Sequence, residues 1–288
     1  MPEISFAPKV FDRALIAHHL ERRPAGHDDF VTRLLLADLE ERLSPVTRSF
    51  EQALIMAPDA GILPTAGRSA NGAFAFERAS TVLASPGIPL VDPEALDLPR
   101  RGYDLIVSIF DLDVVDDVPG FLARARAHLR GDGLLLAAAI GGDSLTELRE
   151  AFLSADAEIG GGAFLRVAPF IPTSQSAGLL QRAGLALPVT DVETHTVRYE
   201  TPLALMRELK SLGASNPLAD RPHKMATKGL IGAAAAAYER LARDDDGRVR
   251  ATLEIVWMSG WAPHESQQKP LKPGSAEISL AKVLKTKG

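Results

Sequence analysis

The side chains with the clearest chemical potential stand at the ends of predicted strands. Glu77 ends the short strand 73–77, Asp92 ends 89–92, and Asp111 and Asp113 follow the apolar run 103–110. A carboxylate at a strand end can accept hydrogen bonds from both hydroxyls of a ribose, or from an exocyclic amine such as that of adenine. A solvated carboxylate that only caps a strand end has the same sequence pattern. Ligand binding and capping therefore both stay open for Glu77 and Asp92.

Four aspartates follow the apolar run 103–110: Asp111, Asp113, Asp116 and Asp117. Clustered carboxylates can bind a divalent cation or act as a general base. Asp116 and Asp117 also stand where a helix beginning near Pro119 needs caps. We therefore expect no metal site, and we keep Asp111 and Asp113 as catalytic candidates because they fall on the ligand side of the sheet.

The turn after the first predicted strand, 52–57, is a candidate cofactor loop. In nucleotide-binding doubly wound folds this turn is rich in glycine, so that backbone N–H groups can face the ligand. Here it reads Ala57-Pro58-Asp59-Ala60-Gly61, with one glycine and a proline that has no N–H donor. An ordinary turn between a strand and a helix is equally compatible with this string.

Two further strings could contact a substrate or partner. After the strand 134–140 the chain reads Gly141-Gly142-Asp143-Ser144-Leu145-Thr146-Glu147-Leu148-Arg149. Asp143 or Ser144 can cap a helix there, Glu147 would complete a capping box with Ser144, and the paired glycines permit close approach of another molecule. Gly141, Gly142, Asp143 and Arg149 are therefore candidate substrate or partner residues.

The second string is His264-Glu265-Ser266-Gln267, which follows both tryptophans of the chain. The zinc motif HExxH needs a second histidine at position 268, which is Gln, and the other histidines show no ligand spacing. No GxSxG string for a serine hydrolase is present. His264 is thus a third catalytic candidate and Glu265 a substrate candidate, while a core role for the tryptophans is the alternative.

Composition excludes several classes of protein. The 288 residues contain no cysteine, which excludes disulfides, thiolate nucleophiles and iron–sulfur clusters. With 32 basic and 37 acidic residues the net charge is −5, which argues against a dedicated nucleic-acid binder. No export signal or membrane-spanning run is evident, so we expect a cytoplasmic protein, with a peripheral position at the inner face of the membrane as a variant of this expectation.

The elements that must position these residues follow from hydrophobic periodicity. Helices are predicted over 10–45, interrupted at 24–26, and over 119–129, 144–153, 173–183, 201–212 and 228–243; strands are predicted over 190–199 and 251–261 besides those already named. Gly160-Gly161-Gly162 reads as a flexible joint. Near-continuous apolar strands that alternate with helices predict an α/β doubly wound sheet covered on both faces.

Several strings together carry a family resemblance: Phe11-Asp12-Arg13, Tyr103–Ser108, Leu129–Gly133, Gly141–Arg149, Leu212–Asn216, and Gly260-Trp261 through His264–Gln267 to Pro270 and Gly274-Ser275-Ala276. With them the chain resembles the complex I assembly factor 5 family. These are class I S-adenosylmethionine methyltransferase-fold proteins related to the malonyl-carrier-protein methyltransferases of biotin synthesis.

The resemblance implies a seven-stranded Rossmann-like methyltransferase sheet over 49–288, an N-terminal helical segment 1–48, helical cap elements at about 144–250 and a C-terminal tail 262–288. It implies S-adenosylmethionine at the carboxyl ends of the strands, against Ala57, Asp59, Gly61, Glu77, Asp92, Ser108 and Ile109. It also implies a protein substrate, such as a subunit of the respiratory NADH dehydrogenase, and no metal.

Departures from the family pattern leave three functions open. The family turn is of the type Asp-Leu-Gly-Cys-Gly-x-Gly, whereas residues 55–61 keep only the final glycine; Ile55 replaces an acidic residue, and Asp113-Val114 replaces a His-Trp pair. The adenosine half of the site, with Glu77 and Asp92, matches the family pattern more closely than the methionine half does. The chain is then an assembly factor that modifies a protein, an active methyltransferase on a small molecule or carrier protein, or a non-catalytic pseudoenzyme chaperone.

Overall fold

The computed structural model describes residues 9–160, 162–222 and 225–267. Gly161 of the predicted joint and the tail beyond Gln267 lie outside these described residues. Within them, none of the helices has the length and the apolar character that crossing a bilayer requires.

Two helices open the described chain, as the interrupted pattern over 10–45 predicts: α1 (Arg13–Glu21) and α2 (Phe30–Leu43). Each begins at an aspartate whose side chain accepts a backbone N–H of the first turn, Asp12 from Leu15 and Asp29 from Thr32. Such caps satisfy donors that a helix leaves unpaired at its start.

The strands form one sheet of seven, which confirms the predicted fold class. They are β1 (Ala53–Ala57), β2 (Ala66–Ser69), β3 (Gly72–Ser80), β4 (Tyr103–Ile109), β5 (Leu129–Ile140), β6 (Ala186–Tyr199) and β7 (Val249–Trp261). Their order is β2-β3-β1-β4-β5-β7-β6, and β1 pairs in parallel with β3 and β4. The edge strand β6 comes from within the segment 144–250 that was expected to supply cap elements.

Helices cover the sheet on both faces, which is the doubly wound arrangement. On one face α2 packs through Leu35, Leu39 and Leu43. On the other face lie α3 (Val118–His128) and α5 (Thr173–Arg182), through Phe121 and Leu180 among others. Ile55 is fully buried on the α2 face, so this position serves the core.

Three helices form a separate cluster over β7: α4 (Thr146–Ala155), α6 (Pro202–Ser211) and α7 (Lys228–Ala242). Leu148 of α4, Leu205 of α6 and Tyr238 of α7 meet there around Val249 and Ala251. This small cluster of buried apolar side chains forms a core that is separate from those on the two faces of the sheet.

One predicted detail near the first strands is wrong. Segment 89–92 is not a strand, since only Leu90 forms a single parallel bridge with Ser80. The connection from β1 to β3 also has no helix; it consists of a 3-10 turn (Ala60–Ile62) and β2, which pairs antiparallel with β3. This chain therefore lacks the helix whose N-terminus faces the cofactor in nucleotide-binding doubly wound folds.

Candidate functional site

The loop after β1 is held from within the protein. Asp59 is mostly buried; one carboxylate oxygen accepts the backbone N–H of Gly61 at 2.9 Å, and the other is paired with the guanidinium of Arg23, which follows α1. Both side chains of this pair expose about a tenth of their surface (9% and 10%). The carboxylate that the sequence assigned to a cofactor is thus already neutralised by an arginine that was not predicted to take part.

The chain that leaves β3 closes onto the same loop. Backbone N–H groups of Thr81, Val82 and Leu83 donate to the carbonyl oxygens of Ala57 and Pro58, at 2.9, 3.2 and 2.7 Å. The pairing of β1 with β3 therefore continues past the carboxyl ends of both strands. The crevice of a doubly wound sheet lies instead between β1 and β4, where the order of the strands reverses.

Glu77 does not lie at the carboxyl end of its strand, and that prediction is wrong. Strand β3 continues to Ser80, and Glu77 is paired with Leu54 near the beginning of β1. Its carboxylate contacts Arg100 at 2.7 Å and accepts a hydrogen bond from the hydroxyl of Tyr103, the first residue of β4. Glu77 consequently faces the edge of the sheet opposite the predicted site.

Asp92 is exposed and folds back on its own chain. Its carboxylate accepts the backbone N–H of Glu94 at 2.9 Å, and its carbonyl accepts that of Leu96. These contacts agree with the alternative interpretation of Asp92, a solvated cap at the end of a strand. The residues of the predicted adenosine half are therefore not gathered around one binding surface.

Asp111 is fully buried at the carboxyl end of β4. It accepts hydrogen bonds from the hydroxyls of Thr81 at 2.5 Å and Ser108 at 2.7 Å. Burial raises the pKa of Asp111 to about 7, while the two hydroxyl contacts act in the opposite direction. Asp111 and Ser108 are thereby brought together, but inside the protein.

Asp113 accepts the backbone N–H of Ile140, the last residue of β5, at 3.1 and 3.2 Å. Burial raises the pKa of Asp113 well above its usual range, the contact with Ile140 lowers it, and the nearby Asp111 raises it further. Unlike Asp111, it lines a cavity, so it is the predicted catalytic candidate that a ligand could reach.

The other two aspartates of this cluster are structural. Asp117 caps α3 by accepting the N–H of Gly120, as its position before Pro119 predicted. Asp116 does not cap the helix; it accepts the N–H groups of Val10 and Phe11, both at 2.9 Å, and so ties the N-terminal segment to the sheet.

A cavity of about 300 Å³ opens at the carboxyl edge of the sheet. Its lining is largely apolar and includes Ile16, Leu20, Ala57, Ile109, Leu148 and Leu205. The two arginines of the lining are both neutralised, Arg23 by Asp59 and Arg166 by Asp156 at 2.7 Å. A largely apolar concave surface with few polar groups is typical of a binding site.

The capping box predicted after β5 is absent. The hydroxyl of Ser144 bonds the backbone of Glu254 in β7 in both directions, at 2.8 and 3.1 Å, and Glu147 accepts the hydroxyl of Thr252 at 2.6 Å. Leu145, with φ of 53°, precedes α4 without a side-chain cap. The segment is therefore fixed by β7 and not by its own first turn.

Gly141 and Gly142 lie where other parts of the protein leave no space for a side chain. A Cβ atom on Gly141 would overlap the side chain of Glu254, and one on Gly142 would come within 3.3 Å of Pro172. Asp143 is exposed, and Arg149 reaches back to the carbonyl of Ser144 at 3.4 Å. Among the predicted partner residues of this segment, Asp143 is the exposed one.

His264 and Glu265 lie at the opposite edge of the sheet, where β5 begins, so the structure does not bring the candidate His264 close to Asp111 and Asp113. The ring of His264 covers Gly131 near the beginning of β5, where a Cβ would meet it at 2.6 Å. Gln267 donates to Asp132 at 3.1 Å. The string therefore fastens the end of β7 to β5, which runs antiparallel to it.

Sequence reasoning missed Arg23 and Thr81. Arg23 is separated from Asp59 by 36 positions, and Thr81 from Asp111 by 30. Neither contact leaves a local pattern. Pro58 was a clearer indication that the loop departs from a cofactor loop. Proline has no backbone N–H, so the loop offers one donor fewer to an anionic or polar ligand.

Comparison with known proteins gives clear relatives. The chain is 36% identical over 194 residues to the human mitochondrial arginine-hydroxylase NDUFAF5, covering 67% of this chain and 56% of that protein. It is 34% identical over 196 residues to the Danio rerio NDUFAF5, covering 68% and 61%. The malonyl-[acyl-carrier protein] O-methyltransferase of Laribacter hongkongensis is 36% identical over 195 residues, covering 66% of this chain and 61% of the enzyme. The matches thus span less than two thirds of each relative.

No protein-family model matches the chain. Solved structures that superpose on it include the YcgJ protein of Bacillus subtilis, at 13% identity and a TM-score of 0.46 over 81% of this chain and 99% of that one. Phosphoethanolamine N-methyltransferase 2 of Haemonchus contortus, solved with S-adenosylmethionine, superposes at 12% identity and a TM-score of 0.42 over 88% and 57%. At such scores the assignment of the fold rests on the strand order and not on these superpositions.

Proposed function

Because this chain is a homologue of the complex I assembly factor 5 proteins and of the malonyl-carrier-protein methyltransferases, we propose that it is a methyltransferase-like assembly factor for the respiratory NADH dehydrogenase. It acts by binding a protein partner in its apolar cavity and does not transfer a methyl group. The mostly buried Arg23–Asp59 pair in the loop after β1 is the observation that carries this proposal.

The residues present do not fit S-adenosylmethionine. The loop after β1 is tied to the chain that leaves β3, because Thr81, Val82 and Leu83 donate to Ala57 and Pro58. Glu77, the predicted acidic partner of the ribose, faces the opposite edge.

The methionine end of the cofactor fits no better. Its ammonium group needs an uncompensated acceptor, and Asp59 is already paired with Arg23 in a mostly buried contact. Separating such a pair leaves an uncompensated charge away from water, which is strongly unfavourable. Restoring glycine at Ala57 and Asp59 would remove this pair, so it should strengthen binding of the cofactor.

The cavity supports a binding role in place of methyl transfer. About 300 Å³ of mainly apolar surface suits one or two large apolar side chains of a partner. Its two arginines are neutralised within the protein, and Asp113 is one of the polar groups of the lining that could hydrogen-bond to a partner. Burial raises the pKa of this carboxyl group well above its usual range, which favours its protonated form.

A complementation assay tests this role. Deletion of the protein should lower the NADH dehydrogenase activity of membranes, and the wild-type chain should restore it. Leu209→Trp, which fills the cavity, should fail to restore the activity, whereas Leu241→Trp at an exposed position should succeed. Unchanged activity on deletion would contradict the assembly role, and full rescue by a folded Leu209→Trp chain would contradict the use of the cavity.

A further inference from the structure

A second concave surface, of about 460 Å³, lies between the end of α1 and the end of α6. Its lining gathers the basic side chains His18, His19, Arg22, Arg207 and Lys210, together with Pro24, Ser211 and Ser215, and includes no acidic residue. The sequence as a whole is acidic, with a net charge of −5, so a general excess of cations does not explain this cluster.

These cations lack the neutralisation found elsewhere on the protein. Arg22, Arg207 and Lys210 form no ion pair with any of the described residues, whereas Arg13, Arg23 and many other arginines do. His19 shows the consequence: burial lowers its pKa, and the positive charges of His18, Arg221 and Arg22 lower it further. The Nδ1 atom of His19 is buried and has no hydrogen-bond partner in the described part of the chain.

Helix dipoles explain only part of the arrangement. His18 and His19 lie in the last turn of α1 and Lys210 in the last turn of α6, where a cation interacts favourably with the helix end. Arg22 lies beyond the end of α1, and Arg207 lies earlier in α6. The dipole also gives no reason for two helices to direct their cations into one depression.

We propose that this surface, the α1–α6 pocket, binds a phosphate group. Arginine and lysine side chains supply several charge-assisted donors to the oxygens of one tetrahedral anion, and the hydroxyl of Ser215 lies on the same surface. The volume exceeds the needs of an inorganic ion, so the phosphate belongs to a larger molecule, either a soluble phosphorylated compound or a phospholipid headgroup. Ser215 lines both this pocket and the apolar cavity, so the two adjoin. The proposal does not depend on the proposed function.

Calorimetric titration with inorganic pyrophosphate at low salt tests the shared chemistry. Wild-type protein should bind it saturably, and the variant R22Q/R207Q/K210Q should bind at least about tenfold more weakly, since a loss of about 1.4 kcal/mol corresponds to tenfold in affinity. The three residues are exposed, so the variant should keep the wild-type melting temperature. Should it unfold, the single variant Arg207→Gln takes its place.

A matched control removes the same charge elsewhere. R101Q/R182Q/R240Q replaces three exposed arginines, of which Arg182 and Arg240 also stand in last turns of helices. This control should bind pyrophosphate as the wild type does. Equal weakening by the control and the pocket variant, or no saturable binding by the wild type, would overturn the proposal.

Sedimentation with vesicles distinguishes the two sources of the phosphate. If the ligand is a headgroup, wild-type protein sediments with phosphatidylglycerol–phosphatidylcholine vesicles, and the pocket variant stays in solution while the control sediments. If the ligand is a soluble compound, the pocket variant binds pyrophosphate more weakly than the wild type, but the two proteins sediment with vesicles to the same extent.

Discussion

The buried carboxyl group of Asp111 should make the stability of this protein depend on pH in a direction opposite to that of most carboxylates. Its pKa is raised from the ordinary value of 3.8 to about 7 because it is fully buried, with two hydroxyl groups as its contacts. The folded protein therefore holds this proton more tightly than the unfolded chain does. Stability from this group is fully present below pH 4 and falls as the pH rises towards 7.

The size of the effect follows from the same values. Each tenfold change in proton affinity is worth about 1.4 kcal/mol, so a rise from 3.8 to about 7 corresponds to about 4 kcal/mol of unfolding free energy. Asp12, Asp191 and Asp246, whose pKa values are lowered, act in the opposite direction. Their contributions cancel when wild type is compared with a variant at Asp111.

Urea unfolding of wild type and Asp111→Asn between pH 4 and pH 8.5 measures this difference. The asparagine keeps the shape and can still contact Thr81 and Ser108, but it cannot ionise. Relative to the variant, wild type should lose about 4 kcal/mol between the two ends of the range. Asp143→Asn, at an exposed carboxylate, controls for a charge change alone. A difference between wild type and Asp111→Asn that is constant with pH would refute the reasoning.

Other predictions concern packing and ion pairs. Arg166→Leu should destabilise the fold by about 3–5 kcal/mol in chemical denaturation, because it leaves the buried carboxylate of Asp156 without its bidentate partner; the additional change Asp156→Asn should recover part of the loss, and no recovery would contradict the role of the pair. Leu35→Ala should cost about 2–5 kcal/mol, since Leu35 is fully buried between α2 and the sheet; a smaller loss would mean that the site collapses. Gly141→Ala should lower the melting temperature, because its methyl group would overlap Glu254, and Glu254→Ala in the same chain should relieve that overlap.

Much of the fold could be predicted because buried strands leave a strong local pattern. The runs that became β1, β4 and β5 are nearly continuous in apolar residues, as strands covered on both faces must be. Strand β2 could not be predicted. Its sequence, Ala66-Gly67-Arg68-Ser69, has little strand character, and it forms by pairing with β3, where the rings of Phe74 and Phe76 lie against Gly67.

The candidate site was harder to predict, because it depends on where strands end and on contacts between distant residues. A shift of three positions in the end of β3 moves Glu77 from the cofactor edge towards the opposite edge. Ser144 was assigned to a local cap, but its partner Glu254 is 110 positions away. Local propensity carries no information on such pairs, so residue type alone suggested chemistry that the tertiary contacts do not support.

The central claim is that this homologue of methyltransferases does not use S-adenosylmethionine, and a calorimetric titration of the full chain with the cofactor tests it most directly. From the Arg23–Asp59 pair and the position of Glu77 at the opposite edge, we expect a dissociation constant weaker than about 100 μM. S-adenosylhomocysteine should bind no better. A submicromolar constant for either compound would contradict the account.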